Sequence, residues 1–399
     1  MALGIYISVP FCRTKCSYCN FASDVFSRAV FERYVQRVCA DLAGAGNLAK
    51  ALGGRFEREV DSIYLGGGTP TVLEAAQLER MFTAVRSEFS AQKEADVTVE
   101  CAPGTLKPEM LETLLRCGVN RVSLGVQSFV DGEAAAVGRL HKRATVLDEI
   151  ASLRAAGITN INIDLIAGLP HQTAQSWQES LRETIATGAP HVSVYMLEID
   201  EDSRLGRELI AGGTRYHAHF VPDEDRTADF YLRACETLGA AGVTQYEISN
   251  FARAGFESRH NLKYWTRQPY LGFGVDAHCM LLSIDKQAEA VRFATADSLE
   301  KYVAGAPVET TIVTREMALE ERLFLGLRLN RGVDLREVAS EFGEAAVENV
   351  CSMAAEMVAE GLLEEAGVII RLTSRGRLLS NEVFQRFLRS SNGAANVSV

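Results

Sequence analysis

The chain has little that would tie it to a membrane, a secretory route or a nucleic acid. No apolar run approaches the ~20 residues needed to span a bilayer, and the opening Met1-Ala2-Leu3-Gly4-Ile5-Tyr6 carries no basic leader. That start reads as a buried strand, and the protein as cytoplasmic. Positive charge is also short: 41 Lys and Arg stand against 52 Asp and Glu, a net of −11. An acidic chain gains little from counterion release on a polyanion, so no nucleic-acid partner is expected. Low-complexity tracts and short repeats are absent. The nine cysteines are odd in number and follow no secretory signal, which argues against a disulfide framework and for metal or redox use. Cys39, Cys101, Cys117, Cys235, Cys279 and Cys351 are scattered and read as small buried hydrophobes.

What is present is an alternation. Short β-branched runs at 4–9, 61–65, 96–100, 121–124, 160–165 and 191–197 read as strands, and stretches at 31–42, 74–89, 108–117, 145–156 and 174–187 carry apolar residues at helical spacing. Repeated strand and helix imply right-handed parallel βαβ units, hence an α/β sheet. Periodicity does not decide whether it curls or stays open. After Gly242 the pattern loosens into aromatic, Gly-rich loops over 250–280. A new texture follows: helices at 317–327, 335–342 and 345–360, a two-stranded wing at 362–364 and 368–372, and a helix from Ser374, which together resemble a winged-helix domain. The chain thus divides into a core (1–242), an extension (243–309), a winged-helix-like α+β domain (310–390) and a small polar tail (391–399) expected to be disordered.

Directly after the first strand stands Cys12-x-x-x-Cys16-x-Tyr18-Cys19, three thiols on one loop at the edge where α/β folds put chemistry. Iron-sulfur clusters are held by soft thiolates and usually take four, so three leave one iron without a protein ligand. The alternative is a zinc site completed by a remote His or Cys. Further candidates sit at strand ends. Gly66-Gly67-Gly68-Thr69 closes the second strand and lets backbone approach a ligand closely. Glu100 and Asp164 close the third and lie in the fifth, where carboxylates are costly to bury without a cation or donors.

These spacings resemble the radical S-adenosylmethionine (SAM) superfamily, which implies a partial, open β/α barrel holding a 4Fe-4S cluster on Cys12, Cys16 and Cys19, with SAM on the open iron. The resemblance further implies Gly66 to Thr69 at the SAM amino group, Glu100 and Arg139 near its carboxylate, and Gln127 and Asp164 near its ribose. Tyr6-Ile7-Ser8-Val9-Pro10-Phe11-Cys12, Gly125-Val126-Gln127-Ser128-Phe129 and Ile163 to Pro170 extend the likeness to the coproporphyrinogen oxidase-like branch.

Two subfamilies of that branch compete. One is HemN, the oxygen-independent coproporphyrinogen III dehydrogenase, in which Tyr6 would help position cofactor or substrate for catalysis. The other is HemW, a haem chaperone. HemN carries another Cys two residues beyond the third, where this chain has Phe21, and a long segment before the first strand, where Tyr6 stands near the start. His260-Asn261-Leu262-Lys263-Tyr264-Trp265 matches the HemW signature, with an imidazole able to ligate haem iron and flat faces for the macrocycle. The resemblance therefore implies haem or a porphyrin as ligand, apo-haemoproteins as partners and a possible homodimer. Two places depart from the family pattern: Asp276 and Cys279 replace a Gly and a Ser, and Ala102 replaces an Asn. His278 is a second imidazole candidate.

Overall fold

The computed structural model describes residues 1–388, so the tail at 391–399 lies outside the described residues. The first half forms β1 (Leu3–Val9), β2 (Glu59–Gly67), β3 (Ser90–Cys101), β4 (Arg121–Gln127), β5 (Asn160–Ala167) and β6 (His191–Met196), with helices between them. Each is parallel to the next. Then come β7 (Thr244–Gln245), β8 (Asn250–Ala252), β9 (Tyr270–Gly274), β10 (His278–Leu282), β11 (Ala290–Ala294) and β12 (Glu309–Val313). The sheet order is β12-β11-β10-β9-β1-β2-β3-β4-β5-β6-β8-β7. Its end strands, β12 and β7, lie at opposite limits of that order, so the barrel stays open.

Every core strand is two-sided, because side chains alternate across a pleated strand. On β1, Leu3, Ile5, Ile7 and Val9 are fully buried against Tyr34, Val35, Val38 and Leu42 of the helix Phe31–Ala51. Each such side chain contributes roughly 1.5–3 kcal/mol of burial. The opposite face carries Gly4, Tyr6 and Ser8 on β1, Ser62, Tyr64 and Gly66 on β2, Thr98 and Glu100 on β3, Ser123 and Gly125 on β4, and Asn162 and Asp164 on β5. That second face is a polar lumen.

The segment 250–280, expected as aromatic loops, is instead β8, the helix Arg259–Trp265, β9 and β10. β9 pairs parallel with β1, from Gly4 opposite Tyr270 to Ser8 opposite Gly274. The elements are short, and their pairing partners lie far away in sequence, so local periodicity carries no trace of them. The extension thus widens the sheet on both sides, beyond β6 and beyond β1.

A second core gathers Leu323, Leu327, Val338, Val350, Met357 and Leu372 between the helices Arg315–Leu327, Leu335–Phe342 and Glu344–Ala359. A small antiparallel sheet, β13 (Val333–Asp334), β14 (Leu363–Ala366) and β15 (Ile369–Leu372), supplies the wing. Ile248 and Trp265 pack into this core, and Glu321 takes ion pairs from Arg267 (3.0 Å) and Arg292 (3.2 Å), which ties it to the large sheet. Among the described residues no helix is long and apolar enough to cross a membrane.

Candidate functional site

The cysteine loop leaves β1 through Phe11, whose fully buried ring stacks on Phe31 at 4.0 Å. Its neck is closed by backbone bonds: the Cys12 N–H donates to the Asp24 carbonyl, and the Asp24 N–H to the Pro10 carbonyl, both at 3.0 Å. The far side is tethered as well. The Ser17 N–H donates to the Val137 carbonyl (3.2 Å), and the Leu205 N–H to the Ser17 carbonyl (2.8 Å). Lys15 Nζ reaches the Phe21 and Ser23 carbonyls.

All nine cysteines are free thiols, with Cys16 buried and Cys12 and Cys19 half-buried. Burial pushes the Cys12 and Cys19 thiols up, so the bare loop holds protons that a metal would displace. Arg139 Nη1 points at Cys16 Sγ at 3.5 Å, a cation beside a prospective thiolate. Among the described residues no three His, Cys, Asp or Glu side chains converge as ligands of one ion.

Gly66 to Thr69 lie against this loop. Gly67 has φ of 97°, a left-handed backbone that glycine adopts without penalty. A Cβ on Gly68 would stand 2.7 Å from the Phe11 carbonyl oxygen, 2.8 Å from that of Val9 and 3.1 Å from Cys12 Sγ. The glycine therefore sets the fit between the β2 end and the cysteines. The Thr69 N–H closes the contact on the Phe11 carbonyl at 2.7 Å.

Below lies the lumen, and it is acidic. Glu100 accepts from the Tyr64 hydroxyl (2.8 Å) and the Gly67 N–H (3.1 Å). Burial first, then the charge of Asp164, pushes its carboxyl up to about 7. Asp164 accepts from Ser123 Oγ (3.1 Å) and Asn162 Nδ2 (2.7 Å), and burial pushes it up too. Asn162 Nδ2 also meets Ser123 Oγ and Ser193 Oγ, which locks the network. Arg139 completes the set, its Nη2 donating to the Gly125 carbonyl. A Cβ at Gly125 would lie 2.7 Å from that Nη2. Gln127 is buried at the end of β4 with φ of 68°, beside the register shift between β4 and β5. Two carboxylates held away from water with donors but little cation suit a ligand bringing positive charge and hydroxyl groups.

Tyr6 stands on the same concave face, its ring 6.0 Å from Tyr64 and 6.1 Å from His260, and burial keeps its hydroxyl protonated. His260 lies deeper than the acids, beneath Tyr64. It is buried, stacked on Tyr64 at 5.4 Å, with Nδ1 bonded to Ser62 Oγ (3.0 Å) and Nε2 to the Tyr264 hydroxyl (2.8 Å). Burial, reinforced by Lys263, lowers its pKa to about 3, so it stays neutral. Both ring nitrogens are occupied, and iron ligation would require exchanging one of these bonds. His278 is exposed, 4.0 Å from Asp276. Asp276 has φ of 54°, which accounts for a glycine at that place in the family pattern, and Cys279 is buried with its sulfur on the Gly272 N–H at 3.1 Å.

The structure therefore brings the cysteines, the glycine loop, Glu100, Asp164, Gln127 and Arg139 to one edge and lumen, and leaves His260 on the lumen floor. Sequence reasoning missed Tyr64, Ser123, Asn162 and Ser193, which orient the acids. The signal was available: in each strand polar residues recur every second position while the intervening ones are aliphatic.

A model of the radical SAM superfamily matches residues 6–184, and a model of the HemN C-terminal domain matches 313–379. The chain is 33% identical over 390 residues to the heme chaperone HemW of Bacillus subtilis, covering 96% of this chain and 98% of that one. It is 32% identical over 388 residues to the heme chaperone HemW of Lactococcus lactis, covering 96% of each. Among solved structures, coproporphyrinogen III oxidase (HemN) from Escherichia coli, a radical SAM enzyme, superposes with a TM-score of 0.81 at 22% identity, over 97% of this chain and 90% of that one. That likeness is one of fold.

Proposed function

The chain belongs to the HemW family of radical SAM proteins, and from that membership we propose that it is a haem chaperone, holding a 4Fe-4S cluster and SAM and delivering haem to apo-haemoproteins in the cytoplasm. The observation that carries the cofactor half is the pair of protonation-prone carboxylates, Glu100 and Asp164, lying under a loop of three free thiols. Cys12, Cys16 and Cys19 would hold the cluster. The bound cluster would supply the electron that cleaves a carbon-sulfur bond of SAM.

The chain's own residues do the rest. The Gly66 to Thr69 backbone would receive the SAM amino group, with Glu100 as its counter-charge rather than beside the SAM carboxylate as the resemblance implied, because Glu100 accepts from the Gly67 N–H of that same loop. Arg139 stands between Cys16 and Asp164 and offers its guanidinium to the SAM carboxylate. Gln127 and Asp164 receive the ribose, whose hydroxyls replace water as donors to the acid. Tyr6, with its hydroxyl held protonated, walls the lumen beside Glu100.

The haem half rests on the full-length similarity to HemW relatives, and the oxidase alternative rests on likeness of fold. Anaerobic reconstitution with iron and sulfide, EPR with and without SAM, and titration of the same sample with hemin test the reading. SAM should perturb the cluster signal, and hemin should bind stoichiometrically. Cys12→Ala, Cys16→Ala and Cys19→Ala should each lose iron and sulfide, while Cys351→Ala should not. Conversion of coproporphyrinogen III to protoporphyrinogen IX by the reconstituted chain would sink the chaperone reading in favour of the oxidase.

A further inference from the structure

An imidazole that iron can reach is one common axial donor for haem, and His260 is sealed within the lumen with both nitrogens bonded. A second imidazole pair lies on the surface at the same sheet edge as the cysteine loop. The chain leaves β5 through Gly168, Leu169 and Pro170 and presents His171, whose Nε2 lies 3.1 Å from Nδ1 of His217. The two positions are far apart in sequence, yet both backbones are left-handed, with φ of 67° and 61°. That conformation costs roughly 1 kcal/mol for each residue bearing a side chain, and such strain persists where the surroundings over-determine it.

The surroundings do so here. Gln172, buried, accepts from the Gly168 N–H (2.6 Å) and donates to the Ile166 carbonyl (3.1 Å). Glu208, also buried, accepts the Tyr216 N–H (2.8 Å) and the Ala218 N–H (3.1 Å), one on either side of His217. The His171 N–H donates to the Phe220 carbonyl and the Phe220 N–H to that of His217, both at 2.9 Å. Leu169 packs with Val137 and Ile166 against Tyr18 of the cysteine motif, so this platform adjoins the cysteine loop.

Iron-ligating imidazoles characteristically have their second nitrogen fixed by a hydrogen bond, which sets ring orientation and tautomer. In the tautomer that carries the proton on Nδ1 and donates it to His171 Nε2, His217 keeps a lone pair on Nε2, a nitrogen for which no hydrogen-bond partner stands among the described residues. Beside it, Phe220 is 57% exposed and stacks on His171 at 4.2 Å. On the helix Arg204–Ala211 that carries Glu208, Leu209 and Ile210 are exposed too. An open imidazole nitrogen next to a flat, exposed apolar ring matches the chemistry of an iron porphyrin, which needs one axial donor and one apolar face.

We propose that the half-buried His217, oriented by the exposed His171, is a rim axial ligand for haem iron, with the macrocycle lying against Phe220 outside the lumen. The proposal rests on the haem-carrying reading above and adds where the cargo is held. A rim site leaves the porphyrin accessible for hand-over, as the sealed His260 would not.

The test is titration of the reconstituted full chain with hemin, followed in the Soret band, for the native protein, His217→Gly, His171→Gly and His260→Ala. Glycine suits the left-handed backbone at both rim positions, so these variants should melt at or above the native temperature. His217→Gly should weaken hemin binding about tenfold or more and lose the imidazole-ligated spectrum, which added free imidazole should restore. Its affinity for metal-free protoporphyrin IX should stay at the native level, because only the iron bond is removed. A His217→Gly protein with native hemin affinity and spectrum overturns the rim site, even while hemin binding itself upholds the carrier reading. A native chain that binds no hemin overturns both. Zinc uptake through the pair without any effect of His217→Gly on hemin overturns it in favour of a bare-ion site.

Discussion

Replacing Glu100 by Gln should make the cluster-free, SAM-free chain more stable at pH 8 and no more stable at pH 5. The folded-state carboxyl sits near 7 against an ordinary 4.5, raised by burial and by Asp164. A raised acid binds its proton more tightly in the folded state. Below the unfolded value both states are protonated and nothing is lost; as pH climbs from 4.5 through about 7 the unfolded state ionises first, and stability falls. That rise in pKa is worth at most about 3 kcal/mol above pH 7, and residual solvent contact brings it nearer about 2. Gln removes that penalty while keeping an acceptor for the Tyr64 hydroxyl. It also turns an amide toward the Gly67 N–H, which forfeits one hydrogen bond worth about 1 kcal/mol. The net gain is about 1 kcal/mol at pH 8, with none at pH 5 because the penalty there is small. Urea midpoints of the two proteins at both pH values measure it. A variant weaker than native at pH 8, or a difference that ignores pH, would refute the account of Glu100 as an acid held uncompensated for a cationic ligand.

The same acid sets the pH dependence of SAM binding: affinity should rise by up to about tenfold per unit from pH 6 toward 7 and level off above, and Glu100→Gln should flatten that slope, as read by calorimetry. Gly68→Ala should cost about 1–3 kcal/mol and lower iron uptake, because the new methyl meets two carbonyl oxygens at 2.7 and 2.8 Å that belong to backbone. A melting curve and an iron assay would show it, and an unaffected protein would mean the β2 end and the cysteine loop move freely. Asp276→Gly should raise stability by about 0.5–1 kcal/mol by relieving a left-handed side-chain-bearing residue. A fall in its melting temperature would show instead that the Asp276 carboxylate is needed near His278.

What was legible in the sequence was what is encoded locally. Cys12, Cys16 and Cys19 declare themselves by covalent spacing, and Glu100 and Asp164 by an acid placed in an aliphatic strand. The alternation of strand and helix gave the parallel core because each βαβ unit is built from neighbours. Residues 250–280 were illegible because β9 owes its conformation to hydrogen bonds with β1 rather than to its own pattern. Tyr64, Ser123 and Asn162 were passed over for a different reason: their alternation with aliphatic residues marks a polar face, but which acid each serves is set only when the sheet places Tyr64 against Glu100 and Ser123 and Asn162 against Asp164. The meeting of His171 and His217 depends on two loops folded together by Gln172 and Glu208, which no spacing rule foresees.

The pairing of β1 with β9 has a consequence for biosynthesis. Once synthesised, β1 gains its second neighbour only when Tyr270 to Gly274 have emerged, and at roughly 5–20 residues per second that is a wait of about 15–50 s. Throughout that interval the nascent chain shows an unpaired edge along Leu-Gly-Ile-Tyr-Ile-Ser-Val, a template for annealing to other polypeptides. Yield in rapid overexpression should therefore be limited by aggregation of half-made sheets, and slower translation or a holdase on the newly emerged β1 should recover it.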